Sequence, residues 1–305
     1  MPQIQYLPDD RRIQGKPGEA ILKTSLRAGI PHAHACGGKA RCSTCRVRIE
    51  QGLEHCGPRN KKERELAAQL HLGPEIRLAC QTTLQGNVTV QRLVLDDEDS
   101  EIIRDLKSGP TQGAVGEERS LAIMFADIRS FTSFTEALPA YDVIYVLNRY
   151  FHRMSAIIHR HAGYVDNYMG DGLMALFGVK NPKDAALRAV KAGIEMLEEV
   201  ERLRPYLTSS YGRSFHIGIG IHYGDVVVGA VGSAELQKIT AIGDAVNLAS
   251  RIQAANKLAG TRLLISQATF TRVQTKIRAE KKCVRVSLPG KSGDYTLYEV
   301  IGPKS

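Results

Sequence analysis

The sequence contains no tryptophan, and aromatic residues make up only 6% of its 305 residues. No apolar run approaches the ~18 residues that a membrane-spanning helix needs, so we expect no membrane span. The first residues, MPQIQYLPDDRR, lack the apolar core of a secretory signal peptide. The sequence has no helix-turn-helix or zinc-finger pattern, which argues against nucleic acid as a partner although the chain is basic. We therefore expect a globular, cytoplasmic protein.

The net charge of +9 is distributed unevenly along the chain. Residues 1–95 hold 15 Lys+Arg and 8 Asp+Glu, and residues 119–305 hold 24 and 16. Residues 96–118 reverse this balance, with 2 basic and 8 acidic side chains. A basic protein attracts anions, so a nucleotide or an acidic protein is a plausible class of partner.

Cysteine usage and the acidic run predict two domains. Five of the six cysteines fall within the first 80 residues, before the acidic segment DDEDSE. We expect a first domain over 1–95, a linker over 96–117 and a second domain over 118–305. Three apolar residues of the linker have helical spacing and predict a short signalling helix: Ile102, Ile103 and Leu106.

Four cysteines of the first domain have the spacing of an iron–sulfur site. Cys36, Cys42, Cys45 and Cys80 form the pattern C-x5-C-x2-C-x34-C. Three thiolates on one loop and a fourth from a distant segment can surround a [2Fe–2S] cluster. A zinc site usually combines two C-x2-C knuckles, of which only one is present. A disulfide framework is typical of oxidising compartments. Four buried structural cysteines are the remaining alternative.

The flanking residues strengthen the iron–sulfur interpretation. A Gly-Gly pair follows the first cysteine, and the segments CSTCRV and LACQT surround the third and fourth. Over residues 1–95 the sequence resembles the adrenodoxin-like and plant-type ferredoxins. This resemblance implies a β-grasp-like domain with Cys36, Cys42, Cys45 and Cys80 as cluster ligands. Cys56 and Cys283 have no partner by spacing and are expected to be ordinary cysteines.

Two aspartates of the second domain are predicted to meet at one edge of a sheet. Asp127 ends the apolar strand 121–128 and directly precedes a helix start. Asp171 lies on the tight turn of a predicted hairpin over 164–177. Two carboxylates at one sheet edge can hold two metal ions ~4 Å apart, an arrangement suited to in-line attack at phosphorus. Either aspartate alone is more often a capping or turn residue.

Four segments in order resemble the class III nucleotidyl cyclase catalytic domain. They are FADIRSFTSF, GYVDNYMGDGLMALFG, IGIGIHYGDVVVGAVGS and TAIGDAVNLASRIQAAN, and LYEVIG matches the closing strand. The resemblance implies a ferredoxin-like α+β core that works as a head-to-tail homodimer with its active sites at the interface. The whole chain is therefore expected to be of the α+β class.

The resemblance also implies a role for each matching residue. Asp127, Asp171 and the carbonyl of Ile128 would bind two Mg²⁺ or Mn²⁺ ions, while backbone N–H groups of Phe131 and Thr132 would bind the triphosphate. From the second subunit, Asn247 would orient the ribose and Arg251 would stabilise charge on the α-phosphate.

Two positions depart from the pattern of adenylyl cyclases. Asn167 stands where many adenylyl members carry an adenine-reading Lys, although its companion Thr240 agrees with bacterial adenylyl members. Near the C-terminus the usual Lys-Gly-Lys is replaced by Pro289-Gly290-Lys291, so only Lys291 remains to bind the triphosphate.

Together these observations predict an adenylate cyclase. It would convert ATP to 3′,5′-cyclic AMP and pyrophosphate, under control of the redox state of the [2Fe–2S] cluster. A redox donor protein or a small-molecule reductant would supply the electron, and the linker would transmit the change. A purely structural cluster, a redox-sensing or electron-transfer protein with a weakly active nucleotide-binding domain, and a guanylate cyclase remain alternatives.

Overall fold

The computed structural model describes residues 1–93, 116–136, 138–232, 237–283 and 296–304. The chain divides into two compact units, the first formed by Met1–Glu117 with Gly229–Lys238 and the second by Glu118–Val228 with Ile239–Ser305. The expected linker helix, Pro289 and Lys291 lie outside the described residues. None of the described helices is long and apolar enough to cross a membrane.

The first unit is a five-stranded mixed sheet with two helices. Its strands are β1 (Gln3–Leu7), β2 (Arg11–Gln14), β3 (Arg46–Gln51), β4 (Ile76–Leu78) and β5 (Val88–Arg92), in the spatial order β2-β1-β5-β3-β4. β1 and β5 are parallel, whereas β3 pairs antiparallel with β4 and β5. The helices are α1 (Ile21–Arg27) and α2 (Lys61–Gln69). A core that includes Tyr6, Ile21, Val47 and Val90 joins α1 to the sheet.

The second unit is an α+β structure built on a larger sheet. Its strands are β6 (Glu117–Ile128), β7 (Gly163–Met169), β8 (Gly172–Phe177), β9 (Ile217–Val231), β10 (Lys238–Ile242), β11 (Leu263–Ser266), β12 (Ile277–Cys283) and β13 (Thr296–Pro303). They follow the spatial order β12-β13-β11-β9-β6-β8-β7, and β10 pairs with β9. The helices are α3 (Phe131–Thr135), α4 (Ala140–Arg160), α5 (Ala185–Tyr211), α6 (Asp244–Ala259) and α7 (Gln267–Val273).

Alternate side chains of β6 belong to two separate hydrophobic cores, one on each face of the sheet. Met124 packs in the cluster that contains Tyr150 of α4 and Met196 of α5. Ile123 packs in a second cluster with Ala249 of α6. Successive side chains of a strand point to opposite faces, so β6 is buried on both sides. Its C-terminal end, which carries Asp127, is therefore held from two directions.

Two predictions of local structure were wrong because packing between distant segments overrides the local sequence signal. The sequence predicts a turn at Tyr223-Gly224, but β9 runs through both residues. An added Cβ at Gly224 would lie 2.9 Å from the Cβ of Ala245, so this glycine permits close packing of α6. The sequence also predicts the end of α5 near Pro205. The helix continues to Tyr211, with Leu203 and Leu207 both buried.

Gly220 sets the distance between β9 and α6. A Cβ at this position would lie 2.1 Å from the backbone nitrogen of Gln253 in α6, which no side-chain rotation can relieve. We predict that Gly220→Ala lowers the free energy of unfolding by about 1–3 kcal/mol, the usual cost of overpacking. Urea unfolding followed by circular dichroism measures this change.

Gly193→Ala is the matched control. Its added methyl would lie 3.2 Å from a terminal carbon of Leu263, which can move, and alanine favours the helix. We expect a change within about 1 kcal/mol. Equal destabilisation by the two substitutions would contradict the backbone-contact explanation.

Candidate active site and cysteine cluster

The fold brings Asp127 and Asp171 to the same edge of the sheet. Asp127 is the penultimate residue of β6, and Asp171 occupies the turn between β7 and β8. Because Ala126 pairs with Leu173, this turn lies beside the end of β6. Gly170 adopts a φ of 62°, and a Cβ at Gly172 would lie 3.0 Å from the Asp127 carboxylate. The two glycines therefore allow the tight turn and leave room for the carboxylate.

The carboxylates share an electrostatically unfavourable environment. Burial raises the pKa of both side chains, and the charge of Asp171 raises the pKa of Asp127 further, while Arg129 acts in the opposite direction. The backbone N–H of Ile128 donates to the Asp171 carboxylate and limits the increase there. A cation placed between the two groups would remove their repulsion.

The buried hydroxyl of Tyr150 is a further polar group on which the two aspartates act. The Tyr150 hydroxyl is buried and has no hydrogen-bond partner in the part of the chain that the structure describes. Burial raises its pKa, and the charges of Asp127 and Asp171 raise it further. The sequence pattern indicates Tyr150 only as an apolar residue of a helix stripe, so this polar contribution was missed.

These oxygen donors fit hard divalent cations. Magnesium is usually held by one or two carboxylates together with substrate phosphates, rather than by a complete protein cage. Among the described residues no three His, Cys, Asp or Glu side chains converge on one metal position. Asp127, Asp171 and the carbonyl at the end of β6, that of Ile128, are the groups that would hold the ions.

The short helix α3 follows β6 after a single sharp turn. Ser130 adopts a φ of 57° at the helix start, and Phe131 and Thr132 are its first two residues. N–H groups in the first turn of a helix have no acceptor within that helix. The two predicted triphosphate ligands therefore lie directly after the carboxylate strand.

Asn167 and Thr240 lie on β7 and β10, the two strands predicted to read the base. Asn167 is exposed beside an irregularity in the pairing of β7 with β8. The Thr240 hydroxyl donates a 3.0 Å hydrogen bond to Asp166, which is buried. Sequence reasoning missed Asp166, although an acidic residue inside an apolar strand was the available signal.

Asn247 and Arg251 project from α6. Asn247 is exposed and Arg251 is partly buried, whereas Ala245, Ala249 and Ile252 of the same helix are buried. Residues four apart lie on one helix face, so the two side chains share the polar face of α6.

The cysteines of the first unit form two pairs. Cys42 lowers the pKa of Cys36, whereas Cys80 raises the pKa of Cys45, so the thiols of each pair interact electrostatically. The second interaction also lowers the pKa of Cys80 to about 6, while burial acts against this decrease. Four cysteine thiolates are the ligand set of a [2Fe–2S] cluster.

The loop also aims N–H groups at the sulfurs. Burial raises the pKa of Cys36, but backbone N–H groups from Arg41 and Lys39 lower it overall. The Gln81 amide donates to Cys80 Sγ at 3.2 Å and to the Gly38 carbonyl at 3.1 Å. Gly37 and Gly38 have φ values of 66° and 81°, and successive backbone N–H groups in such a turn can form a nest for an anion. The donor set fits an anionic iron–sulfur cluster.

A buried ion pair fixes the segment that carries Cys80. Arg77 binds Glu63 of α2 through Nε and Nη2 at 2.9 and 3.0 Å. The same carboxylate accepts the Leu78 N–H at 2.9 Å, and both charged side chains are buried. Neither residue was singled out from the sequence, because both resemble surface charges there. Cys56, as expected, takes no part in the pairs, and its thiol donates to the Gly52 carbonyl.

The raised pKa of Asp127 predicts a pH-dependent cost to stability. The folded-state pKa lies above the unfolded value of about 3.9, so stability falls as pH rises through the folded pKa. In metal-free protein, Asp127→Asn should therefore raise the free energy of unfolding at pH 7, by no more than about 1 kcal/mol since the group is half exposed. Urea unfolding at pH 7 and at about pH 3 measures the difference.

Well below the unfolded pKa the carboxyl is protonated in both states, so the gain should vanish at about pH 3. Asp184→Asn is the control, because Asp184 is exposed and asparagine tolerates its φ of 53°. A loss of stability in Asp127→Asn at pH 7 would contradict the predicted cost.

Comparison with known proteins agrees with this organisation. Residues 115–302 match the family model of the adenylate and guanylate cyclase catalytic domain, and residues 4–85 match that of the 2Fe-2S iron-sulfur cluster binding domain. "Adenylate cyclase, terminal-differentiation specific" from Dictyostelium discoideum is 37% identical over 187 residues, which cover 60% of this chain and 9% of that protein. The chain spans between 9% and 37% of the length of three curated relatives.

Two solved structures share the fold of the second unit. The guanylyl cyclase Cya2 aligns with a TM-score of 0.58 and 33% identity over 62% of this chain and 95% of that one. The adenylyl cyclase CyaB from P. aeruginosa aligns with a TM-score of 0.57 and 31% identity over 62% and 96%. The expected α+β class is confirmed, and the chain belongs to the adenylate and guanylate cyclase catalytic domain family, with a 2Fe-2S domain preceding the catalytic domain.

Proposed function

We propose that this chain is an adenylate cyclase that forms 3′,5′-cyclic AMP and pyrophosphate from ATP at a homodimer interface, under control of an N-terminal [2Fe–2S] cluster. The observation that carries the proposal is the half-buried pair Asp127 and Asp171 at the end of β6. The pair needs a cation, and it lies directly before the N–H groups of Phe131 and Thr132.

Two bound Mg²⁺ or Mn²⁺ ions would supply charge neutralisation at the α-phosphate and lower the pKa of the ribose 3′-hydroxyl. Asp127, Asp171 and the Ile128 carbonyl hold them, and the N–H groups of α3 bind the triphosphate. The 3′-oxygen attacks the α-phosphorus as the bond to the pyrophosphate oxygen breaks, and the hydroxyl proton passes to water. Lys291 is the proposed side-chain ligand of the triphosphate.

A second subunit completes the site in this proposal. Asn247 orients the ribose, and the guanidinium of Arg251 stabilises charge that develops on the α-phosphate. Apolar side chains of β9 and β10 are exposed on the single chain and are available for a dimer contact: Val227 at 43%, Val231 at 47%, Ile239 at 44% and Ile242 at 56%. Exposed apolar clusters of this kind are typical of interaction surfaces.

In this proposal, side chains of β7 and β10 recognise the base of the nucleotide substrate. The bond from Thr240 to Asp166 fixes the hydroxyl oxygen of Thr240 as an acceptor for another donor, such as the adenine amino group. Asn167 supports a second candidate, guanylate cyclase, because its amide both donates and accepts and does not select adenine. Cya2, a guanylyl cyclase, shows that this fold also serves GTP.

The proposed regulation depends on the four cysteines of the first unit and on the order of the two domains and the linker along the chain. One-electron reduction changes the charge of a cluster held by Cys36, Cys42, Cys45 and Cys80. A domain over 1–95 would carry this change through the linker over 96–117 to a catalytic domain over 118–305. A redox donor protein or a small-molecule reductant supplies the electron. A local charge change regulates only by biasing an element with two states, and the linker is the proposed element.

We predict that the full chain forms cyclic AMP from ATP with Mn²⁺ faster than cyclic GMP from GTP. The rate should differ severalfold between oxidised and dithionite-reduced protein, measured anaerobically with visible absorption recorded in the same cuvette. Asp127→Asn should lower turnover at least about 100-fold, whereas Asp184→Asn should leave it unchanged.

Each alternative has its own result. Faster turnover of GTP would identify a guanylate cyclase. Equal rates in both cluster states would contradict redox control by this cluster. Nucleotide binding without product in either state would favour the redox-sensing protein with an inactive cyclase domain.

A further inference from the structure

The second unit contains an open cavity of about 550 Å³ that the proposed reaction does not use. It lies where the end of β6 and the start of β9 meet α5 and the segment between α6 and β11. We call it the arginine cavity, and its charged and polar lining consists of Arg129, Glu201, Arg204, His216, Thr261 and Arg262.

Positive charge exceeds negative charge in the arginine cavity. Glu201 is its single carboxylate, and it binds Arg262 at 2.7 Å and Arg204 at 3.2 Å. The ring of His216 lies 2.8 Å from Arg204 Nη2. Three guanidinium groups around one carboxylate leave a surplus of two positive charges. Such a concave surface concentrates anions.

Arg129 forms no ion pair or hydrogen bond with a carboxylate among the residues that the structure describes, although Asp127 attracts it over a longer distance. Its guanidinium donates one hydrogen bond, at 3.2 Å to the Gln253 carbonyl. It packs so closely on Gly218 that a Cβ there would lie 2.1 Å from Arg129 Nη2. Burial lowers the pKa of this group. A half-buried guanidinium that forms no close ion pair is unfavourable, and an anion beside it would relieve that cost.

Arg204 also lacks an acceptor for one of its donors. Its Nε atom is buried and has no hydrogen-bond partner within the described residues. Its Nη2 atom is occupied by Glu201 and His216. Two of the three guanidinium groups therefore have donors that the cavity itself does not satisfy.

We propose that the arginine cavity is a binding site for a phosphoryl dianion. Its charge of −2 matches the surplus of the lining, and its oxygens accept the forked N–H donors of planar guanidinium groups. Inorganic phosphate, pyrophosphate and a phosphate monoester share this chemistry. Because Arg129 lies two residues after Asp127 and its charge acts on that carboxylate, an occupant would also alter the field at the carboxylate pair.

Calorimetric titration of the full chain with inorganic phosphate tests the proposal. Ionic strength is held constant with chloride, and EDTA removes divalent cations so that the carboxylate pair repels anions. We expect saturable binding to wild-type protein that Arg129→Gln and Arg204→Gln each weaken about tenfold, through loss of a charge-assisted hydrogen bond. Circular dichroism verifies that each variant is folded.

Arg202→Gln is the matched control. Arg202 lies two residues from Arg204 on α5 and pairs with Glu198 and Glu199, but it does not line the cavity. We expect unchanged phosphate affinity. An equal loss of affinity in Arg202→Gln and Arg204→Gln would overturn the site in favour of diffuse surface charge, and so would absence of binding to wild-type protein.

Glu201→Gln separates a binding site from a structural charge network. Removal of the competing carboxylate frees Arg204 and Arg262, so phosphate should bind about three- to tenfold more tightly. A network with only a structural role would lose stability without any gain in affinity, and that result would overturn the proposal.

Titrations with pyrophosphate and with AMP under the same conditions distinguish the sources of the phosphoryl group. The tightest ligand that Arg204→Gln weakens is assigned to the cavity. These results are independent of the proposed function. Phosphate binding without cyclase turnover would leave the cavity intact and reject the cyclase proposal, whereas turnover without phosphate binding would do the reverse.

Discussion

The burial of two carboxylates, Asp127 and Asp171, at one edge of the sheet is the constraint on which the proposed site depends. Burial raises the pKa of each side chain, and the charge of Asp171 raises the pKa of Asp127 further, so the position is unfavourable for two negative charges. The β6–β8 register, Gly170 and Gly172 all serve to keep the pair together. A folded protein retains such strain where a ligand relieves it, and a divalent cation is the simplest ligand for two carboxylates.

The first unit also holds several groups that can carry negative charge close together, in this case cysteine thiols. Four cysteines need a metal cluster or protonation to remain close. The loop supplies backbone N–H donors from Lys39 and Arg41, and the Gln81 side chain beside Cys80 supplies another, which stabilises negative sulfur. The buried pair of Glu63 and Arg77 then fixes the chain next to Cys80. In the proposed function these two pre-arranged anionic sites are linked, so that an electron at one alters turnover at the other.

Sequence reasoning predicted what depends on local spacing. The position of Asp127 at a strand end and the turn at Asp171 follow from short-range chemistry, and the structure places the two aspartates accordingly. Sequence reasoning failed where packing against distant segments determines the local structure. Gly224 was predicted to form a turn, but it makes room for Ala245, and Pro205 was predicted to end a helix that continues. Asp166 and the Glu63–Arg77 pair acquire their roles from partners far along the chain.

The most direct test of the account is metal binding at the carboxylate pair. The electron paramagnetic resonance signal of free Mn²⁺ is titrated against the full chain with a non-cyclisable ATP analogue. We predict about two Mn²⁺ ions bound per chain, close enough for spin coupling, as a two-metal site requires. Asp127→Asn should lose this binding. Equal Mn²⁺ binding by wild-type protein and Asp127→Asn would contradict the central claim that Asp127 and Asp171 form the metal site of a cyclase.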